Sequence, residues 1–256
     1  MHTQKLYELI FNHAVGLLAL ADAAIVTGDP DLRRAVTRAT NFALQCQNPY
    51  MGWRYGVRPQ DNDTAVTGWM ALALRVAERA GAEVPLEPFD GAKAWLDKVT
   101  EPEYGRVGYT ARGNGPALYE GERPPAADKT EGLTAMGVLA RLACGADRDD
   151  EMVKKGQDLL LTALPVYDSQ AGTVDFHYWH FGSLALHGQA DEKKWREALR
   201  KALIDNQCMD KTKHNWGSWE PVDSWSWGGG RVYATAINAL TLQTPWRYPK
   251  EWFRGK

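Results

Sequence analysis

Five apolar helical segments of this chain carry one short pattern. A small residue stands first at Gly16, Gly68, Ala135, Gly182 and Ala236. Three residues later come Ala19, Ala71, Val138, Ala185 and Ala239, and next to them Leu20, Leu72, Leu139, Leu186 and Leu240. The pattern returns about every 50 residues, with one longer interval that holds residues 101–128. Units that cannot bury an apolar face alone must stack on one another. Small residues at matched positions let the stacked helices approach closely. Between the apolar segments lie more polar, amphipathic ones, which predicts two layers, an apolar inner ring and an amphipathic outer ring. An open solenoid has more uniform repeats and shorter loops. The expected architecture is therefore all-α: one α/α toroid of five or six helical hairpins, spanning 1–256 as a single domain.

The segments follow from periodicity and punctuation. Residues 7–26 place Ile10, Ala14, Leu17, Leu18 and Ala21 at helical spacing, and Gly28-Asp29-Pro30 stops that run. Further inner helices are expected at 64–80, 131–143, 175–187 and 231–242. Amphipathic partners are expected at 32–47, 90–99, 151–164 and 192–206. Residues 101–128 and 208–230 read as long irregular loops, a form that in compact domains usually carries function. The tail, 245–256, reads as an irregular lid. With 11 Trp, 10 Tyr and 6 Phe the chain has ample material for a large core. A net charge of -2 gives no general pull toward nucleic acid. Cys46, Cys144 and Cys208 are far apart and lack CxxC spacing, so buried thiols are expected rather than disulfides or a cysteine zinc site. No run of about 18 uninterrupted apolar residues and no charged-then-apolar leader is evident, so a soluble domain without a transmembrane segment is expected, its compartment left open.

The candidate chemistry gathers around the inner-helix ends. Asp63 precedes the 64–80 helix and suits an N-cap, its carboxylate on backbone amides. It is also the first candidate for acid–base work, followed by Asp61 and His177. His177 and His180 share a helix face, and with two carboxylates they are the residue types of a metal site, although three-residue spacing alone assigns no metal or cofactor. Glu131 and Asp175 begin inner helices and have the same ambiguity between cap and catalyst. Trp53, Tyr55, Trp216, Trp219, Trp225 and Trp227 sit in turns, where rings serve either to staple helices or to stack on a ligand. Gly228-Gly229-Gly230-Arg231 reads as a flexible turn or an anion cradle without the Walker lysine. Arg54, Arg58, Arg106, Arg112 and Arg123 would give the loops a basic rim. The expected pocket, for an apolar small molecule, draws on His13, Tyr55, Trp69, Glu131, His180, Trp225, Trp227, Arg231 and Tyr233. His13 is placed on the inner face of the first helix.

The turns also carry a resemblance. Arg38-Ala39, Phe42, Gln47 and Gly52-Trp53 form one copy of a motif; Leu203, Gln207 and Gly217-Ser218-Trp219 form another. Lys93-Ala94-Trp95-Leu96 with Gly108-Tyr109 is a degenerate third. This pattern resembles the Gln-Trp motif of the terpenoid cyclase and protein prenyltransferase α/α-toroid superfamily, and in particular bacterial proteins with squalene-cyclase-like or prenyltransferase-like repeats. The resemblance implies that each glutamine ties an outer helix to its neighbour, that each tryptophan stacks over the next helix, and that a central pocket takes an isoprenoid. The chemistry departs from the family. Gln60-Asp61-Asn62-Asp63-Thr64-Ala65 superposes on the cyclase Asp-x-Asp-Asp-Thr-Ala stretch, with Asn62 where the proton donor stands, and an amide is no useful proton donor. The prenyltransferase zinc set needs Asp-x-Cys, and here Asp63 stands in place of the cysteine. The thioester stretch Gly-Cys-Gly-Glu-Gln of other toroids is absent. Two further readings stay open: a noncatalytic binding module of a larger bacterial protein, and a carbohydrate-active barrel. The latter would pair two of Asp63, Glu131, Asp175, Glu220 and Asp223 at about 5–5.5 or 6.5–9.5 Å.

Overall fold

The computed structural model describes residues 9–115 and 130–250. Within them the chain is all-α, with helices α1 (Leu9–Thr27), α2 (Pro30–Cys46), α3 (Thr64–Arg79), α4 (Glu87–Val99), α5 (Gly132–Ala143), α6 (Glu151–Thr162), α7 (Phe176–Leu186), α8 (Glu192–Ile204) and α9 (Ser226–Arg247). Among the described residues, strand-like pairing is limited to a bridge between Thr100 and Val107. Four helices are capped by an aspartate whose carboxylate accepts amide protons that the first helical turn leaves unpaired. Asp29 accepts from Asp31 N at 2.7 Å, Asp63 from Val66 N at 2.7 Å, Asp150 from Met152 N at 2.9 Å and Asp175 from Tyr178 N at 2.8 Å.

The odd-numbered helices pack on one another in chain order, and each of α2, α4, α6 and α8 packs on the odd helix before it. Ring contacts tie the starts of the odd helices together. Phe11 of α1 lies 5.9 Å from Trp69 of α3, Trp69 lies 6.4 Å from His177 of α7, and His177 lies 5.0 Å from Trp225, which caps α9. Thr130, just before α5, donates to Asp175 at the start of α7, at 2.6 Å. The N-termini of all five odd helices therefore meet at one end. Near the opposite end Arg247 of α9 pairs with Asp22 of α1.

The small residues of the repeat act where both flanks are covered. A Cβ on Gly182 would lie 2.4 Å from the Trp195 ring, and one on Gly68 would lie 3.3 Å from Met136. Gly16 departs from the expectation: a Cβ there would meet nothing within 4 Å, and Leu240, in the equivalent row of α9, is 37% exposed. The reason is position. Helices α3, α5 and α7 have an odd helix on each side, whereas α1 and α9 end the series.

The two turn motifs share one tryptophan contact. Trp53 is fully buried and donates from Nε1 to Ala43 O at 2.9 Å. Trp219 donates in the same way to Leu203 O at 2.8 Å. Both indoles thus satisfy a carbonyl in the last turn of the preceding even-numbered helix. Gln47 Nε2 donates to Pro88 O of α4 at 2.9 Å, tying α4 to the end of α2, whereas Gln207 reaches only Gly217 O, within its own turn. A further regularity escaped the sequence reading. The residue before each repeat's small position is threonine in three units, and it accepts the incoming turn's amide: Trp53 N to Thr67 at 3.0 Å, Val107 N to Thr134 at 3.3 Å and Trp219 N to Thr235 at 3.4 Å.

Three expectations are corrected. The loop over 208–230 is shorter, because 226–229 already wind as a helical turn and Gly230, at φ 55°, kinks into the rest of α9. Residues 101–115 form ordered turns, with Gly108 N on Val99 O at 2.9 Å and Tyr109 N on Asn114 O at 2.8 Å. The remainder of the expected 101–128 loop, including Arg123, and tail residues 251–256 lie outside the described residues. Third, α1 is by length and composition apolar enough to cross a membrane, with 19 residues of mean hydropathy 1.9. Here it packs along α2 and α3 and carries His13 and Asp22.

Candidate functional site

An aromatic cluster occupies the end where the odd helices begin. Trp69 is its centre, edge-on to Phe181 at 4.8 Å and parallel to His180 at 6.5 Å. Trp69, His177, Trp225, Tyr233 and Phe11 are all half-buried, so each ring keeps some surface outside the core. Two polar atoms on these rings are buried and meet no hydrogen-bond partner among the described residues: Trp69 Nε1 and Tyr233 Oη. Buried donors without acceptors each cost on the order of 1–3 kcal/mol, so their clustering is unusual. His180 is held by Thr241 at 3.1 Å. Burial lowers the His177 pKa to about 4 and the His180 pKa to about 3, which keeps both rings neutral near pH 7.

Two carboxylates stand at the head of α7. Asp175 is its N-cap and also accepts from Thr130. Asp223 accepts from Phe176 N at 3.3 Å and from the Ser226 hydroxyl. Burial raises both pKa values, for Asp223 to about 7, and the adjacent Asp175 adds to the Asp223 rise. The Trp225 indole N–H faces the Asp175 carboxylate and offsets part of its rise. Tyr233 is pushed well upward by burial and by these two carboxylates, so its hydroxyl stays protonated.

Asp63 belongs to a separate group. Its side chain is completely buried at the head of α3. Besides capping Val66 N it accepts from Tyr109 Oη at 3.4 Å and faces Arg54 Nε at 3.7 Å. Burial raises its pKa to about 6, against the lowering effect of Val66 N, Arg54 and Tyr109. Asp61 is exposed and pairs with Arg54 at 2.6 Å. Tyr55 bonds to Tyr109 through the two hydroxyls, and Arg54 lies over both rings, 5.4 and 5.9 Å from their centroids. Asn62, in the cyclase donor position, accepts from Asn48 Nδ2 at 2.9 Å and holds the turn.

The structure thus brings together Trp69, His177, His180, Trp225 and Tyr233, and it sets Asp61, Asp63 and Tyr55 apart with Arg54 and Tyr109. Glu131 stands at the N-cap position of α5 but makes no cap hydrogen bond; it binds Arg106 at 2.6 Å and Thr134 at 2.8 Å. His13 turns toward α2, donating from Nε2 to Ala39 O at 2.8 Å and meeting Phe42 edge-on, because that face of α1 packs on α2. Arg231 is engaged by Glu220 at 2.6 Å, and Trp227 is 71% exposed. Among the described residues no three His, Cys, Asp or Glu side chains group as a metal set. Phe11, Tyr109 and Asp223 are the members that sequence reasoning left out of the pocket set. Asp223 had a signal, since Asp223-x-x-Ser226 before the helix is a capping spacing. Compared with family models, curated proteins and solved structures, the chain finds no match.

Proposed function

We propose that the helices form an α/α toroid, with the odd-numbered helices inside and the even-numbered ones outside. We further propose that the aromatic end of this toroid binds an apolar ligand of the isoprenoid class bearing one oxygen acceptor, without transforming it. One observation carries the reading: half-buried rings from α1, α3, α7 and α9 surround two buried donors, Trp69 Nε1 and Tyr233 Oη, that have no acceptor among the described residues. Flat apolar walls suit a hydrocarbon chain, and indole and phenol donors suit an alcohol or carbonyl oxygen. Binding without turnover follows from where the carboxylates are spent. Asp63 and Asp175 hold helix starts, and Asn62 holds a turn where the cyclase acid would stand.

The test is titration with a prenyl alcohol such as farnesol, read by tryptophan fluorescence and by thermal shift. Saturable binding that weakens about tenfold in Trp69→Phe and Tyr233→Phe, each of which removes one donor, supports the reading. Absence of saturable binding in the folded protein sinks it. A second reading rests on a different observation, the raised pKa of Asp223 beside Asp175. A carboxyl still partly protonated near pH 7 can serve as the general acid of a glycoside-cleaving pair. Release of reducing ends from an oligosaccharide, abolished by Asp223→Asn, would replace the first reading with this one.

A further inference from the structure

Every odd helix but the last has an even helix packed on it. Helix α9 follows the same repeat, but no described helix covers its outward side. There Val232 is 82% and Trp246 is 83% exposed. Helices α8 and α9 both pack on α7 and leave a groove between them, with a cavity of about 260 Å³. Trp195 and Leu199 of α8 and Leu242 of α9 form its apolar floor, and Trp246 stands as one wall. Thr244, which is 3% exposed and lines the groove, has a hydroxyl without a partner among the described residues.

The rim is basic. Arg196 and Arg200, one turn apart on α8, line the groove, and Lys250 lies nearby. The acid among them, Glu192, has a side chain only 9% exposed and is committed to His187 at 3.2 Å and to Gly188 N at 2.9 Å. Arg196 approaches Glu192 only to 3.7 Å, and Arg200 has no ion pair among the described residues. Two arginines one turn apart beside an apolar channel match an apolar helix face flanked by carboxylates at i and i+4.

We infer that the α8/α9 groove is a docking site for an amphipathic helix with an acidic flank. The probes are two labelled 18-residue helical peptides with the same leucine face, one flanked by glutamates and the other by lysines. Fluorescence anisotropy with the full chain reads binding. The glutamate peptide is expected to bind at least about tenfold more tightly than the lysine peptide. The pair Arg196→Glu/Arg200→Glu is expected to invert that preference, and Arg200→Glu alone, which breaks no ion pair among the described residues, is expected to shift it the same way while leaving the melting temperature unchanged. Trp246→Ala is expected to weaken both peptides. Equal affinity for the two peptides, binding of neither, or a preference that survives the charge reversal overturns the inference. So does concentration-dependent dimerisation abolished by Trp246→Ala, which would assign the face to a second copy of this chain.

Discussion

Asp63 shows how one residue can satisfy two descriptions at once. Its place before an apolar helix marks it as a cap and also as a catalyst, and the structure spends it on Val66 N, Tyr109 and Arg54. Asp63→Ala should therefore cost about 2 kcal/mol, at the upper end of the range for a lost cap, and Asp63→Asn, which keeps an acceptor, clearly less. Urea unfolding measures both, and equal losses would remove capping as the cause. Asp223 gives a pH signature. Its pKa rises from 3.8 when unfolded to about 7 when folded, so the folded state favours the protonated form. The stability it contributes is fully present below about pH 4 and is lost as the pH climbs through 7. Relative to Asp223→Asn, the native protein should gain melting temperature steadily from pH 8 down to pH 4. His177 and His180 act in the opposite sense, because their lowered pKa values cost stability as the pH falls below 6.5. Comparison with the Asn variant isolates the carboxyl, and parallel pH profiles would refute its assignment.

At the scale of elements, one repeat position behaves in two ways. Gly182 and Gly16 are equivalent in the sequence pattern. A methyl on Gly182 would collide with the Trp195 ring at 2.4 Å, so Gly182→Ala should destabilise by about 1–3 kcal/mol. A methyl on Gly16 meets open space in a helix interior, so Gly16→Ala should stabilise by up to about 1 kcal/mol. Thermal or chemical denaturation of the pair decides, and effects of the same sign would contradict the packing described. The tryptophan staples belong to this scale as well. Trp53→Ala should cost about 3–5 kcal/mol, the value for emptying a large core site. Trp53→Phe keeps most of the packing and leaves the Ala43 carbonyl without its donor.

For the whole molecule the order of contact sets the order of stability. Helices α3, α5 and α7 are covered on both sides, whereas α1 and α9 end the series and meet across the Asp22–Arg247 pair. That pair is partly exposed, so a double-mutant cycle should give a coupling below about 1 kcal/mol. Native-state hydrogen exchange should find the slowest amides in α3, α5 and α7 and earlier opening in α1 and α9. Uniform protection across all five would show that the series closes more tightly than one ion pair.

The sequence by itself determined the helices, their alternation, and the turn residues that join them. Periodicity, aspartate caps and the Gln-Trp pattern are local, and each acts within a few residues of where it is read. Much of the cluster was visible too: Trp69, His177, His180, Trp225 and Tyr233 were all read as pocket or catalytic residues. What it did not determine was partnership across elements. His13 and Arg231 looked like pocket residues until rotation of their helices gave them to Ala39 and Glu220. Tyr109 and Asp223 entered the sites only through contacts 46 and 47 residues away in sequence, to Asp63 and Phe176. That α1 and α9 end the series of odd helices among the described residues was likewise decided by packing, since the same small and apolar letters stand on odd helices with two odd neighbours and on those with one.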